Sequence, residues 1–283
     1  MSTEQTTPSD LQPPEGGEET QPKRAPKEIL QSEIHEGLEV LHRSSIGLFI
    51  SGLSAGLDLG FSVLLMGVMW TQTHNRLPEP IVHLLVANMY AVGFIFVVMG
   101  RSELFTEQTT LAVLPVLNKN ASVGSLLWLW IVVFVSNLIG AAMFARLVTI
   151  VGPKLGNIEP EAFGDIAHRV ISHGNIALFL SAVLAGWLMG LLSWLVAASR
   201  DTISQLVIVW LITTSIGFAG LHHVVAGSIE LFAAMFAHQG VSVLEAVRVL
   251  SWAALGNIVG GVVFVAVIKY GNAKLLAGDD ALA

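Results

Sequence analysis

Two short stretches of this chain set chemically capable side chains inside runs that are otherwise apolar. GLHHVVAGSIE (220–230) carries His222, His223 and Glu230, and GRSELFTEQTT (100–110) carries Arg101, Glu103, Thr106 and Glu107. An imidazole exchanges its proton near neutral pH, and a threonine hydroxyl both donates and accepts a hydrogen bond. Together they suit a polar passage on which a proton changes hands. A metal centre asks for more: His223 and Glu230 share a face if helical, but no HExxH spacing or further histidine cluster accompanies them, so no metal is expected. The chain has no cysteine, which excludes thiolate chemistry, iron–sulfur clusters and disulfides. No enzyme activity and no cofactor are expected.

The elements that must hold these residues follow from composition. Of 283 residues 53% are hydrophobic and 12% charged, and the mean hydropathy is +0.70, which points to a membrane protein. Nine of the 21 acidic residues lie in the first 39 positions, so the net charge of −7 describes the N-terminal region and carries no nucleic-acid footprint. Residues 1–27 have little to bury and read as a disordered tail. Residues 28–43 place Leu30, Ile34, Leu38 and Leu41 at helical spacing, an amphipathic helix on the membrane surface or a solvated linker. Residues 44–271 form the membrane domain, and 272–283 a C-terminal tail.

Six apolar blocks follow, at 46–70, 81–117, 124–151, 176–198, 204–238 and 247–270. A span needs about 20 helical residues. The second and fifth blocks, 37 and 35 residues long, would run about 50 Å as continuous helices, and each is interrupted by one of the two polar stretches. They are predicted to be broken helices. SNLIGAAMF (136–144) is echoed 120 residues later by GNIVGGVVF (256–264), which reads as two homologous halves of three helices. Three is odd, so the second half inserts upside down relative to the first. Paired broken helices in inverted repeats put a binding or permeation site at the membrane midplane. The expected fold is an all-α membrane protein with six transmembrane helices in two inverted three-helix repeats. Eight cationic residues fall on the side of the termini and five on the other, favouring cytoplasmic termini.

Charged side chains at that depth cost about 2.5–3.5 kcal/mol even on the lenient insertion scale. Arg101 is either ion-paired internally with Glu103, Glu107 or Glu230, or raises the local potential for an anion. Phe105 is placed to narrow the passage. Of the adjacent histidines, one is expected on the pathway and the other between helices. Gly52, Gly56 and Gly60, with Gly256 and Gly260, form GxxxG steps for close helix packing or subunit contact. Asp58 and His83 show no partners in the sequence.

ELFTE (103–107), SNLIGA (136–141), HHVVAGS (222–228) and GNIVGG (256–261), in this order and separation, resemble the formate/nitrite transporter family over about residues 44–270. The resemblance implies an aquaporin-like fold, a homopentamer with one pore per subunit in the inner (plasma) membrane, and a small monovalent anion as substrate. It implies pore or substrate roles for His223, Thr106, Phe105, Leu104 and Asn257, to which the residue reading adds Arg101 and His222. The chain departs from the family pattern at Arg101 and Glu107, at Gly227 and Gly186 where asparagine is usual, and before the fourth span, where Arg169 is the nearest cation to a missing lysine. It reads as a divergent branch. The expected mechanism is proton-coupled passage of a weak acid past His223; the rivals are a water or neutral-solute channel and a membrane scaffold or sensor.

Overall fold

The computed structural model describes residues 23–277, and among these the regular elements are all helical. In chain order they are α1 (Pro26–Leu41), α2 (Ser45–Thr73), α3 (Glu79–Met99), α4 (Phe105–Leu111), α5 (Val113–Leu117), α6 (Val123–Leu155), α7 (Pro160–Ile171), α8 (Asn175–Ala198), α9 (Thr202–Phe218), α10 (Val224–Phe236) and α11 (Val243–Val259). A π-helical stretch (Gly260–Val267) then continues into α12 (Ile268–Ala277). Among the described residues five helices are long and apolar enough to cross a membrane: α2, α3, α6, α8 and the continuous run Val243–Leu275. The shorter apolar α9 and α10 follow one another. Polar caps set where helices begin. Ser44, Ser122 and Asp201 accept backbone N–H bonds at the starts of α2, α6 and α9, and Ser242 with Glu245 forms a capping box on α11.

Both long apolar blocks break as their polar interruptions predict. The first leaves helical geometry over 100–104 and the second over 219–223. At each break the chain enters the left-handed region once, at Arg101 (φ 54°) and at Gly220 (φ 62°). Glycine takes that conformation freely, whereas arginine bears a cost of about 1–2 kcal/mol there.

The GxxxG steps hold the first and last long helices of each half together. A Cβ on Gly56 would lie 2.2 Å from the Asn137 carbonyl oxygen, and one on Gly140 2.4 Å from that of Leu53, which locks α2 against α6. In the second half Gly186 faces the Asn257 carbonyl oxygen at 2.3 Å and Gly260 that of Val183 at 2.2 Å. These contacts are backbone against backbone, so no side-chain rearrangement would relieve a methyl group. The glycines therefore serve packing within the chain, and Gly186 stands where a larger side chain has no room.

Three elements differ from expectation at their ends or surroundings. Helix α1 spans Pro26–Leu41, against the expected 28–43, and its Leu30, Ile34, Gly37 and Val40 are buried on the protein. A Cβ at Gly37 would meet the Leu111 carbonyl oxygen at 2.5 Å, which seats α1 on the α4–α5 segment. Helix α12 extends to Ala277, into the segment read as tail. The amphipathic α7 was not anticipated. The expected N-terminal tail lies almost entirely outside the described residues.

Glu33 of α1 is buried, and both its carboxylate oxygens accept from the Ser193 hydroxyl of α8 at 3.0 Å. Burial pushes its carboxyl up to about 8, against a smaller lowering by the Ser193 bond. The docked helix thus holds a proton across the interval from the ordinary carboxylate range to about 8 that the undocked helix has lost. Docking is strongest at the acid end and weakens as pH rises through that interval. The protection of α1 amides from hydrogen exchange, taken relative to the intrinsic exchange rate at each pH, should fall over that rise in the wild type, and Glu33→Gln should remove that fall.

Candidate functional site

The two breaks are built alike, and an asparagine organises each. At the first, Asn137 on α6 accepts the Phe105 N–H on Oδ1 (2.9 Å), and its Nδ2 donates to the carbonyls of Gly52 (2.8 Å) and Glu103 (2.9 Å). At the second, Asn257 on α11 accepts the Val224 N–H (2.9 Å) and donates to the carbonyls of Ala182 (2.8 Å) and His222 (2.9 Å). Each amide thus satisfies the first N–H of a half-helix, the last free carbonyl of the break and a carbonyl of the neighbouring long helix. Backbone groups freed by breaking a helix in an apolar medium need such partners. Asn257, grouped with the pore residues by sequence, is fully buried behind the break and acts on the backbone.

The N-cap residues of the half-helices are Leu104 for α4 and His223 for α10, and the two breaks meet here. His223 Nε2 lies 2.6 Å from the Thr106 hydroxyl, while His223 Nδ1 accepts the Ala226 N–H at 3.2 Å. A backbone N–H only donates, so the proton of the neutral ring is on Nε2 and is given to Thr106 Oγ1. Phe94 of α3 stands edge-on to the imidazole, centroids 4.9 Å apart. Phe94, Leu104 and Thr106 are wholly buried and His223 is 2% exposed, which makes this a dry layer.

A cavity opens on each side of the layer. One, facing α1, is lined by ionisable and polar groups that include Glu36, Arg43, Arg101, Glu103 and Glu107. The other reaches His223 itself and is mostly apolar, walled by Met66, Tyr90, Ile216, Val249 and others, with Arg169, His222 and Glu230 among its lining.

His222 points elsewhere than its neighbour. The Val170 carbonyl can only accept, so His222 Nε2 donates to it (3.0 Å) and Nδ1 accepts from the Ser181 hydroxyl (2.8 Å). That pins the break to the end of α7 and to α8. Arg101 is exposed at the mouth of the α1-side cavity, and Glu103 pairs with Arg43 at 2.6 Å, with Gln108 donating to its second oxygen. The pairing of Glu103 with Arg101 allowed by the sequence is not formed, because Arg43 at the α1–α2 junction reaches the buried carboxylate instead. Phe105 packs on Phe134 and Trp130 of α6, with centroids 4.8 and 6.3 Å away; Phe94 is the aromatic ring on His223. Asp58 accepts from Ser54 at 3.0 Å, and His83 bonds Arg169 and the Phe218 carbonyl, so both have partners that the sequence did not reveal. Phe94, Tyr90 and Ile216 were missed, since nothing distinguishes them within apolar runs.

The comparisons with known proteins agree with this construction. The model of the family described as "Formate/nitrite transporter" matches residues 27–271. The chain is 32% identical over 210 residues to the Escherichia coli (strain K12) "Inner membrane protein YfdC", covering 72% of this chain and 66% of that protein. It is 25% identical to the Salmonella typhimurium "Nitrite transporter NirC" (77% and 80% covered) and 28% identical to a "Probable formate transporter" of Methanothermobacter thermautotrophicus (68% and 76%). Among solved structures it is similar to an "FNT family ion channel" at TM-score 0.77 and 20% identity, over 86% of this chain and 98% of that one. A "Pentameric formate channel with formate bound" gives TM-score 0.67 at 21% identity, over 81% and 97%. At such identities the structural likeness speaks to the fold. The breadth of the family match decides the rest: this chain belongs to the formate/nitrite transporter family.

Proposed function

We propose that the chain transports a small monovalent anion of a weak acid across the inner (plasma) membrane. In this reading it crosses the bilayer six times in two inverted halves, assembles as a homopentamer and keeps its termini in the cytoplasm. The Thr106–His223 hydrogen bond across the dry layer between two cavities carries the reading. The names of the nitrite and formate transporters to which the chain is similar, and of the pentameric formate channel, support the substrate class and the assembly.

The layer sets a charge problem. Carrying a bare carboxylate-sized ion into a low-dielectric medium costs on the order of 20 kcal/mol in the idealised limit. Protonating an acid of pKa about 4 at about pH 7 costs only about 4 kcal/mol. The anion therefore enters a cavity charged, drawn toward the N-terminus of α10, receives at His223 a proton that enters from the cavity water, and crosses the layer neutral. Leu104 and Phe94 keep water out, so the proton travels with the solute and not along a water wire.

Proteoliposomes holding the purified chain should take up radiolabelled formate or nitrite, faster when the lumen is alkaline. Water or glycerol permeation with no acid flux would replace this reading by a neutral-solute channel.

A further inference from the structure

The mechanism leaves several ionisable groups near the conduction path unused, Glu230 among them. Glu230 of α10 is 6% exposed and lines the cavity opposite α1. Among the described residues its carboxyl has no hydrogen-bond or ion-pair partner; Arg169, the cation lining the same cavity, is engaged by Glu79 and His83. A carboxyl this buried and unpaired is costly in a membrane protein, and such groups mark proton or ion pathways. Its position relative to His223 is regular. His223, Gly227 and Glu230 fall at helical spacing on one face of α10 and line one cavity. The carboxyl-bearing residue sits about 10 Å along the axis from the imidazole. Between them Gly227 leaves space: a Cβ there would find only Val170 Cγ1, at 3.9 Å.

We propose that Glu230 is a second proton station of this transporter, which loads the solute on the side opposite α1. The proposal rests on the transport reading above. The Glu230 carboxyl gives its proton through cavity water to the anion held at His223, the neutral acid crosses the layer, and the carboxylate takes a proton back from the outer water. The other titratable or charged groups facing this cavity are Tyr90 and His83 from α3, Arg169 from α7, and His222 and His223 from the break; α2, α9 and α11 line it with apolar residues and glycine.

The test is radiolabelled formate uptake by proteoliposomes of the full chain across about pH 5 to 8, the range over which free protons become scarce. Glu230→Gln should match the wild type near the acid end and fall behind by about tenfold or more near neutrality, a floor below the about 10²–10⁴-fold typical of a positioned proton donor. Glu230→Asp, which keeps an acid, should retain most of the wild-type profile. If the glutamine variant does not assemble, Glu230→Met, an apolar chain of similar length, carries the comparison. A wild-type pH profile in the glutamine or methionine variant overturns the proposal, as does a loss equal at every pH and shared by Glu230→Asp. A wild-type protein that moves no formate or nitrite under any gradient would instead sink the transport reading.

Discussion

Replacing His223 by asparagine should leave a protein that folds and assembles but moves weak acids at least about tenfold more slowly, with little remaining dependence on pH. Asparagine is chosen because His223 has two tasks. Its Nδ1 caps α10 by accepting the Ala226 N–H, and an asparagine side chain is among the best N-caps, so the break keeps its geometry. Its Nε2–H faces Thr106, and an imidazole can take up a proton from the cavity as it hands one on, which an amide cannot do near neutrality. Alanine would remove cap and proton together and leave the cause of any loss ambiguous. The measurement is initial uptake rate against pH, from about 5 to 8, over which the supply of free protons falls. A wild-type rate with a wild-type profile in the asparagine variant would remove the imidazole from the mechanism. Thr106→Val then separates the partners: it keeps the shape, leaves the imidazole proton without its acceptor in the dry layer, and should slow uptake without abolishing its pH dependence.

Much of this site was legible before any coordinates. The two interruptions announced themselves because polar residues with glycine nearby have no other reason to sit inside blocks too long for one span. That the two histidines point to different partners followed from their adjacency. What stayed hidden has a common physical cause: the partners are backbone groups or distant residues. The echo of SNLIGA in GNIVGG was visible, but its meaning was not, because the atoms that Asn137 and Asn257 bind are carbonyls and N–H groups that carry no residue signature. Arg43 and Glu103 are brought together by the seating of α1, which composition does not reveal. Phe94 covers the imidazole and is one of many aromatic residues in apolar runs. Helix α7 was lost between blocks, although Ala162, Phe163, Ile166 and Ala167 form a buried stripe at helical spacing after Pro160. Arg101 was read as the charge of the first break, yet its backbone matters as much, since it holds the left-handed turn that Gly220 holds in the second.

The repeated asparagines make the sharpest structural prediction. Asn257→Leu keeps the approximate volume and orphans three buried backbone groups: the Val224 N–H and the carbonyls of Ala182 and His222. An unsatisfied buried group costs about 1–3 kcal/mol, and three at once are comparable to the whole margin of about 5–15 kcal/mol by which a folded domain survives. The purified variant should melt well below the wild type or fail to assemble, and any protein that does assemble should have lost acid flux, because the His222 carbonyl and Val224 N–H flank His223. Asn137→Leu should do the same from the other side of the layer, by freeing the Phe105 N–H and the carbonyls of Gly52 and Glu103. Asn257→Asp tests which half of the amide matters. It keeps an oxygen for the Val224 N–H but turns a second, charged oxygen on two carbonyls, so it should be no better tolerated than leucine. If the breaks were instead held by the packing of their apolar flanks, the aspartate variant would fail while the leucine variants kept the wild-type melting temperature and flux, since only the charge would then be out of place.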